Sequence, residues 1–250
     1  MGRLAATLDA ACARRKETKV SGDSRIADGA GRRRFLRSLA PAAGFALAAW
    51  AVPASPGEGS DEAEVTPGED LMQEHGVLER LLLVYDESAR RIEHGRPLEL
   101  AVLTSAGGLI RRFVEYYHEK LEERFVFPRL EAARREVSLV AVLRRQHQRG
   151  RELTEQVLAL ARGPKATPQL AQLLRDFERM YRPHAAREDT VLFPAFRTVV
   201  GGRAYRELGD QFEDEEHARF GEHGFENVVG EVAQLEARLG IGDLARFTPP

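Results

Sequence analysis

The amino-acid sequence predicts an all-α protein, built as an up-down-up-down four-helix bundle with an additional C-terminal helical region. Four long segments have the apolar periodicity of amphipathic helices, and short breaks containing Gly or Pro separate them. No stretch alternates apolar and polar residues for long enough to indicate a strand. Helices joined by short loops pack antiparallel to their neighbours, so these segments favour a bundle.

The predicted helices follow one another along most of the chain. We expect the four bundle helices over residues 69–93, 98–133, 139–161 and 168–199. A fifth helical region, about 203–239, is interrupted at "FGEHGFE" and is expected to pack across or beside the bundle. The chain thus divides into a signal peptide, a linker, the bundle and a C-terminal extension, at residues 1–54, 55–68, 69–200 and 201–250.

The segment before the linker is interpreted as an export signal. The stretch "RRRFLR" at residues 32–37 places two arginines, Phe35 and Leu36 where a twin-arginine signal has its R-R-x-F-L pattern. The uncharged apolar run that follows is shorter than the roughly 20 residues of a membrane span. We expect cleavage after Ala54, with Ala51 as the alternative. The protein is therefore expected to meet the twin-arginine export machinery and to reach the periplasm or another extracytoplasmic compartment, anchored to the membrane if the signal is retained.

The composition excludes several kinds of site and partner. Cys12 is the only cysteine, so neither a disulfide framework nor a thiolate metal site is available, and a metal must be held by nitrogen and oxygen. Ten of the 37 Lys and Arg and four of the 39 Asp and Glu lie in the first 54 residues, so the remainder has a net charge of −8. An acidic body argues against nucleic acid as a partner.

Two of the predicted helices repeat a histidine and a glutamate four residues apart. The stretches "HEKLE" at His118–Glu122 and "HAARE" at His184–Glu188 each place an imidazole and a carboxylate on one helix face. The other two helices carry His75 and His147. A buried glutamate is costly unless it is paired or bound to metal. One histidine in each helix, with two paired carboxylates, therefore predicts a metal site in the bundle core.

These residues resemble the ligand set of the hemerythrin-like cation-binding proteins, which are four-helix bundles that hold a non-heme di-iron centre. The resemblance covers roughly residues 69–199. It implies two iron ions, one held by His75 and His118 and the other by His147 and His184. Glu122 and Glu188 would bridge the two irons, together with an oxo or hydroxo group. The same ligands accept Mn or Zn, so these metals stay open.

The sequence departs from the oxygen-carrying hemerythrins at two positions. Those proteins have a fifth histidine four residues after the third-helix ligand, where this chain has Arg151. They also bridge with an aspartate five residues after the fourth-helix histidine, which corresponds to Asp189. We choose Glu188 as the bridge because its spacing copies that of Glu122, and Asp189 stays the alternative. Loss of one imidazole is expected to leave the irons more open and less suited to reversible oxygen carriage.

Several neighbouring residues have two interpretations. Glu119 is either an additional oxygen ligand or, more simply, a solvated helix position. His217 is either a surface histidine or an outer ligand or proton relay. Gly150 either clears space for a small ligand or allows tight helix packing. The two Phe-Pro pairs that end "RFVFP" and "TVLFP" are expected to seal the core below the metals.

The function expected from these features is binding of a small ligand by an exported di-iron protein. The ligand would be O₂, NO or peroxide, bound for sensing, scavenging or storage. Two alternatives stay open: an oxidoreductase that reduces peroxide or nitric oxide with an unidentified electron donor, and a buffer for iron or another metal. A binding protein is preferred to a dedicated enzyme, because no partner-binding element in the sequence identifies an electron donor.

Overall fold

The computed structural model describes residues 65–249, and within that range every regular element is helical. Six helices occur in the order α1 Pro67–Glu93, α2 at residues 100–132, α3 Val137–Ala161, α4 at residues 168–200, α5 Gly202–Phe220 and α6 Gly224–Leu239, with a short 3₁₀ helix at Leu244–Phe247. The all-α prediction is confirmed. The twin-arginine signal and most of the predicted linker lie outside the described residues.

The first four helices form the predicted bundle. Helix α1 packs against α2 and α4, and α3 packs against the same two helices, which gives the ring of neighbours expected for up-down-up-down order. Helix α5 packs against α1 and the end of α4, and α6 packs against α1 and α2. The predicted fifth region is thus two helices beside the bundle, separated at residues 221–223. None of the described helices is both long and apolar enough to span a membrane.

Helix α1 begins two residues earlier than predicted, inside the segment assigned to the linker. The Thr66 hydroxyl accepts a hydrogen bond from the Glu69 backbone N–H, and the Glu69 carboxylate accepts one from the Thr66 backbone N–H. This reciprocal capping box, with Pro67 at the first helical position, fixes the helix start. The other predicted boundaries agree with the structure to within two residues.

Helices α2 and α4 widen into π-helical turns at the predicted ligands. Helix α2 joins the segments Leu100–Leu109 (α), Ile110–His118 (π), Glu119–Leu121 (α), Glu122–Val126 (π) and Phe127–Ala132 (α), and α4 joins Pro168–Arg187 (α), Glu188–Leu192 (π) and Phe193–Val200 (α). The two five-residue π turns begin at Glu122 and Glu188, and each ends directly before a Phe-Pro pair. Proline lacks an N–H and clashes with the carbonyl four residues earlier, so a wider turn relieves the clash. A proline thus follows each of the two five-residue π turns, whereas the longer π segment Ile110–His118 contains none.

Candidate metal centre

The six predicted ligands meet in the bundle core. The Nε2 atoms of His75 and His118 are 3.1 Å apart. Two groups of side chains each offer ligand atoms within 4.8 Å of one another: His75, His118, Glu122 and Glu188 in the first, and His147, His184 and Glu188 in the second. All six residues are at most 3% exposed. Their role as ligands stays a prediction, but the fold brings all of them together.

Each of the two glutamates lies between histidines of the two implied pairs. Oε2 of Glu188 is 3.3 Å from Nε2 of His75 and 3.0 Å from Nε2 of His184. Oε2 of Glu122 is 3.7 Å from Nε2 of His118 and 3.3 Å from Nε2 of His147. Two ligands about 2.1 Å from one ion, at a right angle, are about 3.0 Å apart. These spacings therefore fit metal binding by the two carboxylates together with the imidazoles.

The same glutamates are buried without hydrogen-bond donors. Among the described residues, no hydrogen-bond partner is found for either carboxylate oxygen of Glu122 or of Glu188. The same holds for Nε2 of His147. An ionised carboxylate buried in this way is strongly unfavourable unless a cation compensates it. Imidazole nitrogen and carboxylate oxygen suit iron, manganese and zinc. The residues present thus fit the implied metals.

The charges of the two glutamates are balanced differently. Burial and the negative charge of Glu188 hold the pKa of Glu122 well above its usual range. Burial also raises the pKa of Glu188, but His184 and His75 outweigh this effect and hold that pKa well below its usual range. Burial lowers the pKa of His75, but the neighbouring carboxylates of Asp189 and Glu188 outweigh this effect and raise that pKa to about 9. Positive charge beside Glu122, as a bound cation would provide, would therefore favour ionisation of both glutamates together.

Each of the four imidazoles is oriented through its second nitrogen. The Nδ1 atom of each histidine faces a side-chain oxygen of a neighbouring helix: Asp189 at 2.7 Å for His75, Glu74 at 2.7 Å for His118, Glu123 at 3.1 Å for His147 and Gln146 at 3.0 Å for His184. Such partners fix the ring orientation and favour the tautomer that leaves Nε2 free to bind metal. The four Nε2 atoms therefore face the centre of the bundle.

Sequence reasoning missed Glu74, Glu123 and Gln146 and considered Asp189 only as a bridge, although all four follow the repeat that relates the first two bundle helices to the last two. Glu74 and Gln146 directly precede the histidines of α1 and α3. Glu123 and Asp189 directly follow the predicted bridging glutamates of α2 and α4. Extending the observed repeat by one position would have found the whole set. The repeat is imperfect, because α3 has the amide of Gln146 at the position where α1 has the carboxylate of Glu74.

The structure places Asp189 behind His75 rather than between the two pairs of histidines. Its Oδ1 is 2.7 Å from Nδ1 of His75, and its side chain is 35% exposed. The side chain of Glu188 is fully buried and faces Nε2 atoms. This geometry favours Glu188 as the bridging carboxylate and Asp189 as the residue that orients His75.

We expect Asp189→Asn to weaken metal binding by about 10- to 100-fold without changing the number of ions bound, as loss of an orienting partner does. Titration of the chelator-treated protein with Zn²⁺ measures both quantities. Asp176→Asn, at an exposed position of the same helix, is the matched control and should bind metal normally. Loss of one ion in Asp189→Asn would instead identify Asp189 as a bridging ligand.

The two Phe-Pro pairs cover the centre as expected of apolar seals. The ring of Phe127 stacks on His147 with centroids 5.4 Å apart, and the ring of Phe193 stacks on His75 at 5.5 Å. Both phenylalanines are at most 1% exposed. Each therefore excludes water from one side of an imidazole.

The remaining candidates lie at different distances from the centre. Glu119 is buried, and its two oxygens accept hydrogen bonds from the Tyr181 hydroxyl and from Arg151. Burial raises the pKa of Glu119 to about 8. The expectation that Glu119 is a solvated position is wrong, because its side chain points between α3 and α4 rather than to water.

His217 lies on α5, where its Nε2 is 3.9 Å from Oε1 of Glu213. It does not belong to any of the groups of side chains that offer converging ligand atoms.

A four-helix bundle whose core gathers four imidazoles and two buried carboxylates defines a class of metal-binding proteins. Residues 66–196 match the hemerythrin HHE cation binding domain, so the chain belongs to this family. The domain implies a metal-binding site, and the buried clusters of histidine and glutamate provide its residues. Uncharacterized proteins of Mycobacterium bovis and Mycobacterium tuberculosis are each 48% identical over 232 residues, which is 88% of this chain and 91% of the relative. No solved structure matches the chain significantly.

Proposed function

We propose that this chain is a non-heme di-iron protein that binds a small ligand such as O₂, NO or peroxide. The observation that supports it best is the pair of buried carboxylates, Glu122 and Glu188, without hydrogen-bond donors among the described residues and each between histidines of two pairs. Two imidazoles and an oxygen of each glutamate would hold each ion, together with solvent, so each ion would have about five ligands. One position on each ion is then available to a small ligand.

The side chains around the centre have separate tasks in this proposal. When bound, the iron pair supplies the open coordination positions and the capacity for redox chemistry. The two glutamates neutralise part of the metal charge, and the four outer partners hold the imidazoles in their binding orientation. Phe127 and Phe193 exclude water, so that a small neutral ligand is favoured over bulk solvent at the open positions.

A second candidate function is reduction of peroxide or nitric oxide. It is favoured by Tyr181, whose hydroxyl is buried and whose ring lies 5.3 Å from the ring of His184. Its hydroxyl donates a hydrogen bond to Glu119 at 2.7 Å, so the two side chains form a buried pair beside the centre that could transfer the proton such a reduction needs. An external electron donor would still be required.

The place of action in this proposal is outside the cytoplasm. It is supported by the "RRRFLR" stretch and the apolar run after it, which have the order and length of a twin-arginine signal. That route carries folded proteins, so the metal centre could be assembled before export. Replacing both Arg32 and Arg33 by lysine should hold the protein in the cytoplasm, as fractionation of the cells would show.

The metal content and optical spectrum of the purified protein test the proposal directly. Spectra are recorded after reduction, after exposure to air and after addition of peroxide, with chelator-treated protein as the control. We expect two irons per chain and near-ultraviolet bands that change reversibly. Bands that decay while peroxide is consumed would favour the oxidoreductase. A single zinc or no metal after loading with iron would overturn the di-iron proposal.

A further inference from the structure

Arg151 neutralises two carboxylates directly beside the candidate metal centre. Its Nη2 atom is 2.5 Å from Oε2 of Glu119 and 2.6 Å from Oε1 of Glu123. The side chains of Arg151, Glu123 and Glu119 are 27%, 19% and 1% exposed. Water screens these charges only partly, so the attraction is stronger than that of a surface ion pair.

The same two carboxylates belong to a third group of residues with the chemistry of metal ligands. The ligand atoms of Glu119, Glu123 and His147 lie within 4.8 Å of one another. The guanidinium of Arg151 contacts both carboxylates of this group. Nδ1 of His147 faces Glu123 at 3.1 Å, while its Nε2 faces the central glutamates. A metal ion in the third group would therefore depend on the two carboxylates.

Glu119 is held on both of its oxygens. The Tyr181 hydroxyl donates a hydrogen bond to Oε1 at 2.7 Å, while Arg151 donates to Oε2. Gly150 makes room for this hydroxyl, because a Cβ at that position would lie 1.9 Å from the Tyr181 oxygen. Turning the Glu119 carboxylate toward the central histidines would break both contacts.

We propose that Arg151 occupies a third cation position, holding Glu119 and Glu123 in place of a metal ion, and so limits the centre to two ions. The inference rests on the proposed metal centre and names the residue that sets its stoichiometry. Arginine suits this position because its guanidinium stays charged and donates to two carboxylates at once. Arg151 is thus a positioning residue, because its contact holds the Glu119 carboxylate away from the central histidines.

Equilibrium dialysis of the full chain against Mn²⁺ tests the proposal, since Mn²⁺ accepts ligand sets rich in carboxylate and water. We expect the native protein to bind two ions and Arg151→Gln to bind three. The third ion should bind with a Kd on the order of 0.1–1 mM, because two carboxylates and water hold it. Arg151→Lys keeps the positive charge and should bind two. Arg149→Gln, at an exposed arginine of the same helix that pairs with Glu152, is the matched control and should bind two.

The outcomes separate this proposal from the proposed function. A native protein that binds no Mn²⁺ would contradict the metal centre itself, whereas two ions in both the native protein and Arg151→Gln would overturn only the role of Arg151. Adding Glu119→Gln to Arg151→Gln should return the count to two. If Arg151→Gln does not fold alone, Mn²⁺ should restore its folding by replacing the guanidinium charge, and failure to do so also overturns the proposal.

Discussion

Glu122→Gln is expected to abolish tight binding of the metal pair while leaving the bundle folded after chelator treatment. The amide has the shape of the carboxylic acid but lacks the negative charge that bridges two cations. Burial and the charge of Glu188 already hold the pKa of Glu122 well above its usual range, so a neutral side chain is tolerated there without metal. The substitution should therefore change metal-dependent stability far more than intrinsic stability.

Denaturant unfolding with and without metal measures this difference. Free metal at about 1,000 times its Kd should raise the unfolding free energy of the native protein by about 4 kcal/mol, and should raise that of Glu122→Gln much less. Glu131→Gln is the matched control, since Glu131 is an exposed residue of the same helix that pairs with Arg144. Two tightly bound ions per chain in Glu122→Gln would contradict the bridging role.

Gly150→Ala is expected to destabilise the protein by about 3 kcal/mol, at the upper end of the cost of overpacking. The added Cβ would lie 1.9 Å from the hydroxyl oxygen of Tyr181 and 2.7 Å from its Cζ atom. Tyr181 is buried between Phe177 and His184, so its ring has little room to retreat. Relief of the clash would move the hydroxyl away from Glu119 and break the 2.7 Å hydrogen bond.

Gly76→Ala on α1 is the matched control for this substitution. A Cβ at Gly76 would meet no atom within 4 Å, and the position is an exposed helix interior. Alanine should therefore stabilise the protein there by about 1 kcal/mol through its higher helix propensity. Thermal unfolding of both variants compares the two effects. Equal stability of Gly150→Ala and the native protein would show that Tyr181 does not fill the space beside Gly150.

The helices and the ligand spacing could be predicted because both are local properties. Apolar periodicity located four bundle helices with ends within two residues of those observed. The four-residue spacing of His118 with Glu122, and of His184 with Glu188, placed each pair on one face of a helix. The π turns were not predicted, although the proline that accompanies each of the five-residue turns is visible in the sequence.

The interpretation of Glu119 failed because it considered only the residue's own helix. Its position in α2 resembles a solvated one, but Tyr181 and Arg151 from two other helices surround it. For the same reason, the sequence could not show that Glu188 and Asp189 contact different nitrogens of His75. They are adjacent in sequence but face opposite nitrogens of His75, and only the packing of α1 against α4 decides that Glu188 faces Nε2 and Asp189 faces Nδ1.

The sequence by itself determined the helical class, the order of the helices and the six residues that meet in the core, since these depend on spacing along single helices. Only the tertiary structure decided which side chains hold the histidines, why Gly150 lacks a side chain and what Arg151 neutralises. These contacts join residues of different helices. They depend on the relative height and rotation of packed helices, which the packing of the whole core sets and which no local pattern records.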